Sequence, residues 1–221
     1  MAPEPQPARR DAARSRRAIL EAAEQMFAEH GYRGTTLEAI ARKAGLSRAT
    51  PSYFFGSKDA LYREVLESLY EAREHALEQA FAPVRAWASA GEPAASDRGR
   101  LADALAAGVA GYFAFFDAQP SFARLVDWEA LEGAQRLGET GGRSVAVSTS
   151  LRALHEVHAE RGLRDFDPVL VSIALVSMCF LPVAHAATFR ETSGFDTSDP
   201  RFRAAYQAEV VSAVLHLLGA A

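Results

Sequence analysis

LEAIARKAGLSRATPSYFFGSK, from Leu37 to Lys58, is the sequence of two short helices hinged at a glycine. Leu37, Ile40 and Ala41 make an apolar i, i+3, i+4 face, and Ala44-Gly45-Leu46 supplies a tight turn. A small residue at Ala41 lets two helices cross closely, and Gly45 can take the left-handed backbone such a turn needs. Ser47 is placed to cap a second helix that opens with Arg48, Ala49 and Thr50. A helix that begins with small and basic residues, held off its partner, can enter the major groove of DNA.

Upstream, residues 16–30 read as a helix with Ile19, Leu20, Ala23, Met26 and Phe27 on one face and Gly31 at its end. Thr35 and Glu38 fit the T-x-x-E capping box for the next helix. Downstream, Ser57 caps a helix running through Leu61, Val65, Leu69 and Leu77 to about Phe81. Residues 83–99 have the Pro, Gly and Ser content of a loop. Helices are expected again over 100–117, 120–131 and 145–161, with Gly138, Gly141 and Gly142 loosening the last connection. Pro168 and Pro200 sit at first-turn positions of helices over 169–188 and 202–218. No stretch alternates as a strand does, so the reading is all-α, with about nine helices. Residues 1–15, rich in Pro, Ala and Arg, read as a flexible basic tail whose arginines could thread a minor groove.

Composition suits a soluble globular protein: 221 residues, 49% hydrophobic and 24% charged. No uninterrupted apolar run reaches the roughly 18 residues of a membrane span, and no signal-peptide h-region is present. A single cysteine, Cys179, excludes an intrachain disulfide and fits a reducing cytoplasm. The net charge of -4 is unevenly spread: Met1 to Arg63 holds 11 Lys+Arg against 7 Asp+Glu, and the remainder is acidic. A basic head on an acidic body suits a protein that touches phosphate with one end.

The run from Arg17 to Leu66 resembles the DNA-binding domain of TetR-type bacterial regulators, in AEQMFAEHGYRGTTLEAIARKAGLS and then YFFGSKDALYREVL. The resemblance implies an all-α homodimer on a DNA operator, with a helix-turn-helix DNA-binding domain over 16–62. A helical effector-binding and dimerisation domain would occupy 63–221. By position it implies phosphate contacts from Thr36 and Lys58, base-edge or phosphate contacts from Arg48, Ala49 and Thr50, and a backbone contact from Tyr53. Where the family has a large apolar residue and then a phosphate-binding tyrosine, this chain has Pro51 and Ser52, so Ser52 or Tyr53 must take that part.

In the body, Tyr112-Phe113-x-Phe115-Phe116 covers too wide an arc for one core-facing stripe, which suggests rings lining a cavity. A largely apolar small-molecule effector is expected among Tyr112, Phe116, Trp128, Glu129, His155 and Met178. Two apolar faces, Ser172, Leu175, Val176, Cys179 and Val183 on one helix and Tyr206, Val210, Val214 and Leu217 on the last, are expected to join two copies in a four-helix bundle. His155 and His158 share a helix face with His185 as a possible third ligand, but nothing in the pattern fixes a metal site and none is expected. No cofactor is expected either. Walker, G-x-S-x-G, H-E-x-x-H and C-x-x-C signatures are missing, which argues against an enzyme. The reading is a ligand-released dimeric repressor. Its rivals are a helical carrier or enzyme with a vestigial head, and an activator without ligand control.

Overall fold

Prolines open helices and glycines close them along this chain, because proline lacks the N–H that a first turn leaves unpaired and glycine accepts a left-handed backbone. The computed structural model describes residues 7–90, 98–137 and 146–220. Among them lie eleven helices and no strand: α1 (Pro7–Gly34), α2 (Leu37–Lys43), α3 (Thr50–Phe55), α4 (Lys58–Ala80), α5 (Ala82–Ser89), α6 (Arg98–Ala118), α7 (Pro120–Leu131), α8 (Ala146–Glu156), α9 (Pro168–Ala184), α10 (Ala186–Ser193) and α11 (Pro200–Leu218). The chain forms two compact units, Met1–Tyr70 with Pro120–Gly142 and Glu71–Gln119 with Arg143–Ala221.

The first unit is built on Ile19, Ala23 and Phe27 of α1, Ile40 and Ala41 of α2, and Leu61, Tyr62 and Val65 of α4, all buried. Phe27 and Tyr62 meet edge to face at 4.7 Å. Helix α7 packs along α1, and its Phe122 meets Tyr70 at 5.3 Å. The second unit buries Leu101, Leu105 and Val109 of α6, Leu151 and Leu154 of α8, Leu175 and Cys179 of α9, and Val210 and Val214 of α11. A side chain on Gly108 would meet the Phe81 ring at 2.6 Å, so only glycine lets α6 approach so closely. By length and composition α6 could cross a membrane, yet Leu101, Leu105, Val109, Tyr112 and Phe116 are spent inside this unit. Burial pushes the Cys179 thiol up to about 12, which leaves it an inert small hydrophobe.

Three elements differ from the expectation. Helix α1 begins at Pro7, well before Arg16, because Pro7 sets up a first turn and the alanines and arginines after it are strong helix formers; residues 1–6 of the expected tail lie outside the described residues. The expected loop after Pro83 contains α5, whose Val84, Trp87 and Ala88 are buried at i, i+3, i+4 spacing, while 91–97 lie outside the described residues. The glycines expected to loosen the α7–α8 connection, Gly138, Gly141 and Gly142, also lie outside them.

The single helix expected over 169–188 is two, α9 and α10, bent by 71° at His185. Inside α9, Pro182 has no N–H for the carbonyl of Met178. That carbonyl instead accepts from the Tyr206 hydroxyl at 2.9 Å, and the Pro182 carbonyl accepts from Thr197 Oγ1 at 2.7 Å.

Candidate nucleic-acid interface

Local chemistry fixes the α2-turn-α3 geometry. Thr36 has extended backbone and caps α2, its hydroxyl accepting from the Ala39 N–H at 3.1 Å. The cap expected at Thr35 is therefore displaced by one residue, and with Ala39 three positions on, the expected capping box with Glu38 does not form. Thr35 is fully buried and donates to the carbonyls of Gly31 and Met26, at 2.9 and 3.1 Å, so its hydroxyl closes the end of α1 instead. At the other end of α2, Leu46 N–H reaches the Ala41 carbonyl at 2.9 Å and Gly45 N–H the Arg42 carbonyl at 3.2 Å, with Gly45 at φ 70. This glycine-closed helix end turns the chain sharply into the next element.

Ser47 opens a turn rather than the helix itself: its carbonyl accepts from Thr50 N–H at 3.0 Å and its hydroxyl pairs with that of Thr50 at 2.7 Å. Pro51 is in the first turn of α3 and buried, where its missing N–H removes no helical bond. Ser57 caps α4 as expected, accepting from Ala60 N–H at 3.1 Å.

The expected DNA residues converge on one groove of about 530 Å³, lined by Thr36, Arg48, Ala49, Ser52 and Lys58 together with Thr35, Leu37 and Glu38. Tyr53 stands beside it, 84% exposed, which is unusual for so large a ring and leaves its hydroxyl and face available. Thr50 is half-buried. Two cations are less free than the sequence implied. Arg48 donates through Nε and Nη2 to Glu38 Oε1 at 3.1 and 2.7 Å. Lys58 Nζ donates to the carbonyls of Tyr32 and Thr35, both at 3.0 Å, and lies 4.1 Å from the centre of the Tyr32 ring. The Glu38 carboxyl is held below its usual range, first by its own backbone N–H and then by Arg48.

Residues 19–65 match the model of bacterial regulatory proteins of the tetR family, and residues 102–214 match that of the tetracyclin repressor-like C-terminal domain. The chain belongs to the TetR family. It is 42% identical over 74 residues to the HTH-type transcriptional regulator RutR of Escherichia coli, a match spanning 32% of this chain and 35% of RutR. Curated relatives of this kind are thus matched over only about a third of their length. Among solved structures, SCO4942 of Streptomyces coelicolor is 26% identical with a TM-score of 0.61, covering 94% of this chain and 99% of that one. FadR of Bacillus subtilis, solved with stearoyl-CoA, is 16% identical with a TM-score of 0.60 over 91% and 96% of the two chains. That likeness is one of fold.

This TetR-family chain divides the expected effector residues between its units. Trp128 and Glu129 belong to the first unit and are engaged there. Trp128 Nε1 donates to the Ala28 carbonyl at 3.2 Å, and its ring lies against Gly31, which has φ 67 and ψ 176. A side chain on Gly31 would meet that ring at 2.9 Å. Buried Glu129 accepts from the Tyr62 hydroxyl at 2.9 Å and from Arg136 N–H at 3.2 Å. The Arg136 guanidinium reaches Glu132 at 2.6 Å and covers the Tyr32 ring at 3.8 Å. Tyr32 donates in turn to Asp59 at 2.8 Å. This network ties α7 and the turn after it to the end of α1 and the start of α4. Burial and the Glu129 bond both push the Tyr62 phenol well above its ordinary range.

In the second unit Tyr112 and Phe116 are buried with ring centres 4.6 Å apart, and Phe180 lies 6.1 Å from Phe116. Arg73, also buried, donates to the Tyr112 hydroxyl at 3.1 Å and to Glu74 at 2.9 Å. Met178 is half-buried. His155 stands with His158, Phe166 and Asp165. A separate groove of about 440 Å³ between α5 and α6 is lined by Trp87, Arg100, Asp103 and Ala104 among others, and by none of the expected effector residues.

Of the expected dimer residues, Ser172, Leu175, Cys179, Val210 and Val214 are buried within the protomer. Val176, Val183, Tyr206 and Leu217 are half-buried. The outward apolar stripe of α9 is instead Leu170, Ile173 and Leu181, 65%, 58% and 48% exposed. Glu38, Arg73 and Arg136 were missed by sequence reasoning; only Glu38 carried a signal, and it pointed to a cap.

Proposed function

We propose that this TetR-family chain is a cytoplasmic, non-enzymatic transcriptional repressor that binds a palindromic operator as a homodimer and is released by a small, largely apolar effector. The observation that carries the reading is the exposed surface of Arg48, Ala49, Ser52 and Tyr53 beside the capped start of α2. That surface has the size and chemistry of a helix entering a major groove, with N–H groups of α2 turned to phosphate. The proposed division is a basic N-terminal arm over 1–15, helical from Pro7, a reading head over 16–62 and an effector-binding and dimerisation body over 63–221.

Dimerisation is assigned to the outward face of α9, since Leu170, Ile173 and Leu181 are exposed there, with Ser177 between the last two, and a second copy would cover them. The effector is assigned to the second unit, against Tyr112, Phe116 and Met178, with Arg73 marking the polar end. Lys58 acts chiefly by clamping the carbonyls that end α1, and offers phosphate only its remaining donor hydrogen.

The test is fluorescence anisotropy on fragments of the chain's own upstream DNA, with sedimentation in parallel. A dyad-symmetric fragment should bind two chains, and Arg48→Ala should weaken it by about 1–3 kcal/mol if Arg48 reads a base edge. Ile173→Glu should give monomers. Equal binding to all DNA, or a wild-type chain that stays monomeric at micromolar concentration, overturns the reading.

A further inference from the structure

The end of α8 carries a cluster that DNA reading and effector binding leave unused. His155, His158 and Asp165 each offer one ligand atom, and these atoms all lie within 4.8 Å of one another. Three further details bear on the cluster. His155 Nδ1 is buried and has no hydrogen-bond partner among the described residues. It faces Asp165 Oδ1 at 3.7 Å, too far for a hydrogen bond. His158 Nδ1 donates to the His155 carbonyl at 2.5 Å, which leaves the lone pair on Nε2. A ring N–H given to a backbone carbonyl is how proteins commonly orient a ligating imidazole. Phe166 meets the His155 ring edge to face at 5.4 Å and restrains its rotation.

We propose that His155, His158 and Asp165 bind one divalent transition-metal ion of the zinc class, with water completing the coordination. Two borderline imidazole nitrogens beside one carboxylate suit Zn²⁺, Co²⁺ or Ni²⁺ rather than Ca²⁺ or Mg²⁺, which take oxygen ligands. Bonds of about 2.0–2.2 Å would put neighbouring tetrahedral ligand atoms about 3.3–3.6 Å apart. The 3.7 Å separation already approaches this, and Asp165, 82% exposed, is free to close the remainder. The ion satisfies the orphaned His155 nitrogen and neutralises the carboxylate facing it. It also staples the end of α8 to the segment that leads into α9. Sequence spacing alone missed the site because Asp165 reaches the histidines through the turn, and His185 is not part of the cluster.

The test uses the untagged, metal-free full chain. Co²⁺ titration should give one equivalent per chain with the visible absorption of a low-symmetry His-carboxylate complex, displaced by Zn²⁺, and Zn²⁺ should raise the melting temperature. His155→Ala, His158→Ala and Asp165→Asn should each weaken Co²⁺ binding by more than the ~10–100-fold typical of losing an outer-shell partner. His216→Ala should change nothing. Asp165→His should retain the site, which separates lost ligation from lost folding. Absence of the Co²⁺ spectrum, or binding unchanged by His155→Ala, overturns the proposal and leaves the cluster a His–Asp ion pair.

Discussion

Each unit buries a charge beside a tyrosine hydroxyl, and the two do so with opposite sign. In the first, Glu129 accepts from Tyr62 and from the Arg136 backbone, with the Arg136 guanidinium 3.8 Å away. In the second, Arg73 donates to Tyr112 and pairs with Glu74, whose side chain is 27% exposed. Burial raises both phenols; the anion pushes Tyr62 further the same way, and the cation pulls Tyr112 back. The first arrangement is a closed lock that positions the reading head. The second sets a cation against the rings assigned to the effector.

The comparison breaks most readily at Glu129. Glu129→Ala should strand the Tyr62 hydroxyl and the Arg136 backbone N–H, costing about 3–5 kcal/mol in denaturant unfolding at roughly 1–3 kcal/mol for each buried group left unpaired. Arg73→Met should cost less, about 1–3 kcal/mol, because Glu74 can turn to water while Tyr112 loses one donor. It should also alter effector response with operator affinity intact. Equal losses from the two substitutions would end the distinction.

Two glycines sharpen it at a smaller scale. Gly31 and Gly45 both have positive φ, and sequence marked both as helix ends. Gly31, at ψ 176, lies where only glycine is comfortable, and a methyl there would also strike Trp128. Nothing lies within 4 Å of the corresponding position at Gly45. Gly31→Ala should therefore cost about 3 kcal/mol, and Gly45→Ala about 1 kcal/mol. Comparable midpoints in urea would mean that α7 is not docked through Trp128.

These cases also show what the sequence could carry. The turn at Gly45, the cap at Ser57 and the starts at Pro168 and Pro200 were legible because each is decided by a few neighbouring residues. The cap of α2 was misplaced by one because Thr35 and Thr36 are the same residue type, and only the carbonyls of Met26 and Gly31 select between them. Trp128 and Glu129 read as cavity residues because their partners, Ala28 and Tyr62, are distant in sequence. Helix α9 is apolar on nearly every side, so no periodicity distinguishes inward Leu175 and Cys179 from outward Leu170 and Ile173. Helix α5 was hidden by a composition that reads as loop, although Val84, Trp87 and Ala88 carry helical spacing.

The smallest expected effect lies where the head meets DNA. Glu38 holds Arg48 through two hydrogen bonds to one oxygen, so base or phosphate must compete with that carboxylate for the guanidinium. Both groups are largely solvated, so the restraint is modest. Glu38→Gln should tighten non-specific DNA binding a few-fold by releasing Arg48. It should improve the operator less, which lowers the specificity ratio, because a positioned arginine loses less freedom on meeting its base than a wandering one. The pH dependence has a definite sign. The Glu38 carboxyl is held below its ordinary value, so the ion pair is fully formed above the ordinary carboxylate range and is lost as pH falls through the lowered value. The affinity gap between the Glu38→Gln variant and the wild type should then be widest near neutrality and close toward acid pH. Anisotropy titrations of both chains at matched salt, from pH 7 downward, measure that ratio directly. A gap that does not narrow would mean that Arg48 is positioned by something other than Glu38.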